Sequence, residues 1–265
     1  MPTVVYTGNK IMRFLLTAFW INLKTSLSMR LSFVVTIFIV VVKHSFFLIS
    51  WKYFFGRYNI LQGWNFSEML LMYGIVSLSI GFIEVFFYGL REMPTMIENS
   101  QLDVFLLQPK NILLNVAISK GDITAIGEII LGFLLISFSG YLCHPAIIII
   151  AALGILFIFS LYLYLSSLAF FMKNTTSFIR ELYQSANIVM TQPSSAYQKI
   201  FRIFAITLLP TTFVSFFPVE YMRTNLTKYL IFTSIGTFTF FSVAFWLFKL
   251  GLKRYESSNI IAPRI

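Results

Sequence analysis

Long apolar segments alternate with short polar ones along most of the chain. A helix needs about 20 apolar residues to cross the hydrocarbon core of a membrane, and six segments approach that length. The predicted spans are residues 31–55, 68–90, 123–142, 146–172, 175–192 and 229–250. The pattern therefore predicts an all-α membrane protein with six transmembrane helices, in which residues 1–265 form a single transmembrane domain.

The segment before the first span has a different pattern. Residues 11–29 place apolar side chains at helical spacing beside Arg13 and Lys24. This pattern favours an amphipathic elbow helix that lies in the membrane interface. The alternative is a short additional span, which the basic and polar residues disfavour.

The segment before the last span is ambiguous. Residues 194–223 are apolar but contain Pro210 and Pro218, and proline interrupts the hydrogen bonds of a spanning helix. Two short re-entrant helices joined at Pro210 are therefore predicted. The alternative is that residues 200–217, rather than 175–192, form the fifth span, and the number of crossings is then unchanged.

Composition agrees with a membrane protein and gives its orientation. Hydrophobic residues make up 58% of the chain and charged residues 11%, whereas soluble domains contain about 25% charged residues. The net charge is +10, and most lysines and arginines lie on the side of the two termini. Because basic loops stay in the cytoplasm, both termini and the polar connector, residues 91–122, are predicted to be cytoplasmic. The charge indicates anionic lipid rather than nucleic acid as its partner.

The sequence contains no signature of catalysis or of metal binding. The single cysteine, Cys143, excludes an internal disulfide and a multi-cysteine metal site. His44 and His144 have no obvious carboxylate partner, and phosphate-binding loops and metalloprotease motifs are absent from the sequence. We therefore expect no enzymatic activity and no cofactor on this chain, so that any coupling to ATP requires another subunit.

Lys43, Glu84 and Glu128 are ionisable residues that fall inside predicted spans. An unpaired charge at the bilayer centre costs at least about 2.5–3.5 kcal/mol, so such residues face the bundle interior. One interpretation makes them part of an intramembrane polar path. The other is that serine, tyrosine or basic side chains satisfy both carboxylates at the inner interface. Lys43 either snorkels to the interface or pairs.

The connector contains a candidate docking element. Pro94 and Pro109 bound a segment that is predicted to form one amphipathic helix, residues 94–109, with an apolar ridge and acidic flanks. Such a ridge suits a groove in a partner domain. The alternative is a helix that rests on lipid, and its acidic residues argue against contact with anionic lipid.

Residues 97–109, IENSQLDVFLLQP, resemble the signature I-x-x-G-x-L-D-x-x-L-L-x-P of ABC transporter type-2 permeases, in the bacterial daunorubicin- and viologen-exporter-like branch. Ser100 stands where that family usually has glycine. The prolines at 193, 210 and 218, together with Arg202, resemble the family's segment P-x-x-Y…R-x-L-L…P…Y-x-P. Residues 251–259, GLKRYESSN, are similar to its closing G-L-x-x-Y-x-S-A-N.

The resemblance implies the permease subunit of an ABC transporter in the bacterial inner membrane. It implies an elbow helix, a coupling helix, a second permease copy or a paralogous permease, and a separate ATPase subunit that binds ATP and Mg²⁺. The cargo of such an exporter would be an amphipathic or lipid-like small molecule or drug. The residues expected to contact the ATPase are Ile97, Glu98, Leu102, Asp103, Leu106 and Pro109.

Two other functions fit an apolar chain of this kind. An ion-coupled secondary transporter or channel would work without an ATPase, but it would need more intramembrane ionisable residues or an inverted repeat of spans. A membrane-embedded enzyme or assembly factor would need a catalytic cluster. The sequence shows neither, and efflux driven by a partner ATPase remains the leading prediction.

Overall fold

The computed structural model describes residues 17, 20–21, 24, 30–58, 63–109, 111–172, 174–192 and 210–255. Within these ranges the regular structure is helical and no strand is present, which confirms the all-α prediction for this part of the chain. The α-helices are α1 Arg30–Tyr58, α2 Phe66–Phe87, α3 Gly89–Glu98, α4 Asp103–Leu106, α5 Ile112–Ile118, α6 Ile126–Phe138, α7 Ile147–Ser167, α8 Thr176–Met190, α9 Thr212–Thr224 and α10 Thr227–Arg254. Short 3-10 helices, Ile123–Ala125 and Leu168–Phe170, precede α6 and follow α7.

In the part of the chain that the structure describes, four helices are long and apolar enough to cross a membrane. They are Val34–Arg57, Phe66–Phe87, Ile147–Phe170 and Thr227–Arg254, and all four overlap predicted spans. A fifth is present if α5 and residues Ile123–Phe138, which meet at 76°, count as one bent span. α8 has only 15 residues, fewer than the roughly 20 that a crossing needs. Six spans are therefore not confirmed.

Two predicted elements fall largely outside the described residues. The elbow helix, residues 11–29, lies there almost entirely, and so do residues 194–209, which contain the first helix of the predicted re-entrant pair. The second helix of that pair corresponds to α9, which begins just after Pro210 and contains Pro218. The choice between residues 175–192 and 200–217 as the fifth span stays open.

Hydrogen bonds between elements define the two ends of the bundle. At one end, Ser166 Oγ near the end of α7 donates to the carbonyl of Leu90, just before the connector, at 2.5 Å. At the other end, Ser67 Oγ at the start of α2 donates to the carbonyl of Ser139 after α6, at 2.5 Å. We call the first end the connector face. Both boundaries agree with spans that run alternately up and down.

α2 lies at the centre of the bundle and α1 at its periphery. In the most apolar stretch of α2, 72% of residues are buried, against 6% in α1. α2 packs against α6, α7 and α9, and its fully buried side chains include Leu71, Met72, Ile75 and Val76. The position of α2 makes it the element to which most of the site residues are attached.

Glycines allow α2 and α6 to approach closely, as the small residues of the second span predict. A Cβ built on Gly132 of α6 would lie 2.5 Å from the Leu78 nitrogen and 2.7 Å from the Gly74 carbonyl oxygen. A Cβ on Gly74 would lie 3.0 Å from the Gly132 carbonyl oxygen. Because these neighbours are backbone atoms, they cannot move aside without shifting a helix.

The predicted single helix over residues 94–109 is wrong. α3 begins earlier, at Gly89, contains Pro94, and ends at Glu98; the chain then turns and forms the short α4. The break is at Ser100, whose φ of 56° is left-handed, a conformation that glycine adopts without cost. The turn brings Leu102 into the core, and the family signature has glycine at this same position.

The contact between α2 and α6 gives a stability prediction. We expect Gly132→Ala to destabilise the protein by about 2 kcal/mol, because a methyl group there overpacks a backbone contact. Gly127→Ala, in the same helix, is the matched control, since a Cβ at Gly127 meets no atom within 4 Å. Thermal unfolding of the two variants in detergent measures the difference, and equal unfolding temperatures would contradict the described packing.

Candidate functional site

A cavity of about 590 Å³ opens between α1, α2, α8 and the residues that begin α6. Its wall mixes charged, polar and apolar side chains. The ionisable residues that line it are Lys43, His44, Tyr73, Glu84, Arg91, Asp122 and Glu128. All three intramembrane residues singled out from the sequence, Lys43, Glu84 and Glu128, therefore lie around one cavity.

Glu128 is the centre of the first group of charges. Its Oε1 lies 2.7 Å from His44 Nε2 and accepts a hydrogen bond from Lys43 Nζ at 3.3 Å. His44 is 5% exposed, and its Nδ1 is hydrogen-bonded to the Tyr73 hydroxyl. These contacts join α1, α2 and α6, and we call them the Glu128 node. The expectation that His44 has no carboxylate partner is wrong, and Lys43 pairs, although most of its side chain is exposed.

Glu84 is the centre of the second group. Its Oε1 accepts a hydrogen bond from Arg91 at 2.5 Å and one from the Tyr162 hydroxyl at 3.3 Å. The backbone carbonyl of Glu84 also accepts from the amide of Asp122 at 2.8 Å. This Glu84 node joins α2, α3 and α7 at the connector end of the cavity. Both carboxylates thus have basic partners and also border a cavity. The structure is therefore compatible with both interpretations, an intramembrane polar path and carboxylates satisfied by neighbouring side chains.

His44, a partner of Glu128, has no local signal in the sequence. His44 is separated from Glu128 by 84 residues, and only the fold brings them together. The pairing of Arg91 with Glu84 is easier to predict from the sequence. Arg91 follows Glu84 by seven residues, which is about two helical turns. A basic residue at that spacing from a buried acid is a usable signal.

The connector places the predicted ATPase contacts in different environments. Leu102 is fully buried, so it belongs to the core and does not face a partner. Ile97 is partly buried and packs against the same core. Leu106 and Pro109 are exposed. The helical pattern suggested one continuous apolar ridge, and the turn at Ser100 divides it between the interior and the surface.

Around α4, the exposed apolar side chains of the connector are Val104, Leu106 and Leu107. Their exposed fractions are 59%, 38% and 86%. Leu107 was not among the predicted contacts, although it is the second leucine of the signature's L-L pair. We call these three residues the connector surface.

Glu98 makes its contacts within the chain. Its Oε1 accepts hydrogen bonds from the backbone amides of Thr175, at 2.5 Å, and Thr176, at 2.9 Å. These amides begin α8, where a helix leaves its N–H groups without internal partners. Burial raises the pKa of Glu98, but the hydrogen bonds from Thr176 and Thr175 outweigh it, and the pKa is lowered overall. Glu98 therefore remains ionised and holds α3 to α8.

Asp103 is also bound within the chain. The Tyr255 hydroxyl, just after α10, donates a hydrogen bond to Asp103 Oδ1 at 2.9 Å. Burial, and then this hydrogen bond and the charge of Asp103, raise the pKa of Tyr255 to about 12. The phenol is consequently protonated at physiological pH and remains a donor. This contact places the end of α10 on the connector face.

The comparisons with known proteins now identify the class. The family described as ABC-2 family transporter protein matches residues 38–259, which is most of the chain. The chain belongs to this family; it is an integral membrane protein and a permease component of an ABC transporter. No curated protein and no solved structure matches it.

The Glu84 node gives a second stability prediction. Arg91→Ala leaves the Glu84 carboxylate without its cation, and removing one partner of a largely buried pair costs about 3 kcal/mol. Lys120→Ala is the control, because Lys120 pairs with Glu92 at 3.0 Å with half of its side chain exposed, where a pair contributes less than about 1 kcal/mol. Thermal unfolding in detergent compares them. If Lys120→Ala lowered the stability as much as Arg91→Ala does, the Glu84 node would be solvated like a surface ion pair.

Proposed function

We propose that this permease exports an amphipathic or lipid-like molecule, and that a separate ATP-binding subunit docks on the connector surface. The observation that carries the docking proposal is Leu107, an apolar side chain that is 86% exposed beside polar residues at one end of the bundle. Burying a leucine stabilises a complex by about 1.5–3 kcal/mol. An apolar groove in the partner, of the kind that receives short helices, fits this surface.

The orientation follows from the location of ATP. An ATP-binding subunit works in the cytoplasm, so the connector face is the cytoplasmic one. The Tyr255–Asp103 contact puts the end of α10 on that face, and both termini are cytoplasmic in this proposal. The membrane is the bacterial inner membrane.

The cavity is proposed as part of the substrate path. Its lining combines charged residues with apolar ones such as Phe47 and Ile80, and this mixture suits a molecule with a polar and an apolar part. The two interpretations of Glu84 and Glu128 then combine, since paired carboxylates also shape a polar wall. ATP and Mg²⁺ bind to the partner subunit and not to this chain.

A second permease copy, or a paralogous permease, is proposed to cover α1. This helix is apolar yet barely buried, with Phe38, Ile39 and Phe46 among its exposed side chains. Lipid covers the apolar surface of α1 that the second permease leaves exposed. A pair of permeases would enclose the cavity, whose wall α1 forms on one side.

One observation favours a different function. Tyr73, His44 and Glu128 form a chain of titratable groups, which is typical of proton pathways in ion-coupled carriers. An ion-coupled transporter that works without an ATPase is therefore the second candidate, and the same experiment separates the two.

The test is purification of the tagged chain from its own cells in mild detergent. We expect an ABC ATP-binding subunit, identified by mass spectrometry, to co-purify and to hydrolyse ATP. Leu107→Glu should reduce its recovery at least tenfold, because a charge on the connector surface cannot enter an apolar groove. Leu107→Met should retain it.

Leu226→Glu is the matched control, since Leu226 is an exposed leucine, 47% accessible, just before α10 at the opposite end of the bundle. It should leave recovery unchanged. Undiminished recovery with Leu107→Glu would refute the connector surface as the docking site. A wild-type protein that carries no ATPase and moves its substrate with a proton gradient would favour the ion-coupled carrier.

A further inference from the structure

We propose that Glu98 and Asp103 are positioning residues, which pass displacement of the connector to α8 and α10, and that they do not contact the ATPase subunit. This inference rests on the proposed function. It differs from the sequence-based expectation, which places both residues in the ATPase interface.

Glu98 is committed to α8. One carboxylate oxygen accepts both amide hydrogen bonds at the start of that helix, at 2.5 and 2.9 Å. The positive end of the helix dipole adds attraction for the charge. Glu98 is exposed, but a partner's cation would have to compete with both amides for this oxygen. One oxygen of the carboxylate is therefore already bound within the chain.

α8 leads from this contact to the cavity. The helix begins at Thr176, and its later residues Gln184, Asn187 and Ile188 line the cavity. A displacement of Glu98 therefore acts on the start of a helix whose other half forms the cavity wall. The lowered pKa of Glu98 keeps this link charged throughout the physiological pH range.

α3 connects the same contact to the opposite wall. It is a helix of 10 residues, about 15 Å long, with Glu98 at its end and Arg91 near its start. Arg91 lines the cavity and pairs with Glu84 of α2. A rotation of α3 therefore moves two walls of the cavity relative to each other, one through Arg91 and one through Glu98.

Asp103 provides the second attachment. Its hydrogen bond from Tyr255 joins the start of α4 to the end of α10. Leu102, buried between the two attachments, prevents the turn at residues 99–102 from absorbing the movement. The connector surface lies directly after Asp103, so a pull on Leu107 reaches α8 and α10 through a segment that is fixed at both ends.

The experiment measures the distance between α1 and α8 across the cavity. Spin labels are attached at Val41 and Ile188, both exposed, after Cys143→Ser removes the native thiol. The permease is studied with its co-purified ATPase subunit, without nucleotide and after trapping with ATP and vanadate. We expect trapping to change the distance in the otherwise wild-type protein.

Glu98→Ala should bind the ATPase subunit within about twofold of wild type but lose the distance change. Glu98→Gln should keep it, because the amide oxygen accepts the same two hydrogen bonds. Tyr255→Phe should reduce it. Glu92→Ala is the matched control, an acidic residue of the same helix that pairs with the connector's Lys120 instead of α8.

A second measurement needs no ATPase. Hydrogen exchange of the Thr175 and Thr176 amides should accelerate about tenfold in Glu98→Ala, since that is the effect of losing one hydrogen bond of about 1.4 kcal/mol. Glu92→Ala should leave it unchanged. This measurement also shows whether the variant retains the rest of the fold.

Three results would overturn the inference: a distance change that persists in Glu98→Ala, a wild-type protein without any distance change, or binding that falls in Glu98→Ala as it does in Leu107→Glu. The last result would return Glu98 to the ATPase interface. Failure of the proposed function is distinguishable, because the wild-type chain would then recover no ATPase subunit.

Discussion

A charge at membrane depth requires a partner, and this requirement organises the bundle. Two carboxylates, Glu84 and Glu128, gather side chains from α1, α2, α3, α6 and α7. Apolar packing alone holds α1 only weakly, because little of its surface is buried. The Glu128 node, together with aromatic contacts such as Phe47–Tyr73 and Phe55–Phe66, attaches α1 to the bundle, and the cavity lies beside this node.

The connector both attaches to its own bundle and presents an apolar side chain to the outside, and a helical pattern cannot distinguish the residues that do each. Its acidic residues, Glu98 and Asp103, bind other parts of the chain, whereas the apolar Leu107 is presented to the outside. In a loop of a soluble protein, acidic side chains usually face the solvent and leucine side chains the interior, and here the arrangement is the opposite. It is consistent with an element that must be rigid with respect to its own bundle and adhesive toward another protein.

Hydropathy located the long helices because span length and apolarity are local properties. The same reasoning identified Glu84 and Glu128, since a charge within an apolar segment is visible without a structure. The partner His44 was not visible, because it meets Glu128 only through the packing of distant spans. The connector was located by its polarity between two apolar segments, but its shape depends on the left-handed Ser100 and on the burial of Leu102, which are tertiary effects. The exposed Leu107 was missed for the same reason.

The bend before α6 has a consequence for the surrounding lipid. Residues Ile123–Phe138 turn by 76° from α5 and rise only about 24 Å, while the hydrocarbon core is about 30 Å thick. Several side chains of this short helix, including Phe133 and Phe138, are exposed. If this segment crosses the membrane, a helix this short is accommodated by local thinning of the bilayer, by flanking side chains that reach to the interface or by association with another helix. In that case acyl-chain length is a physical variable that acts on this transporter, in addition to anything it binds.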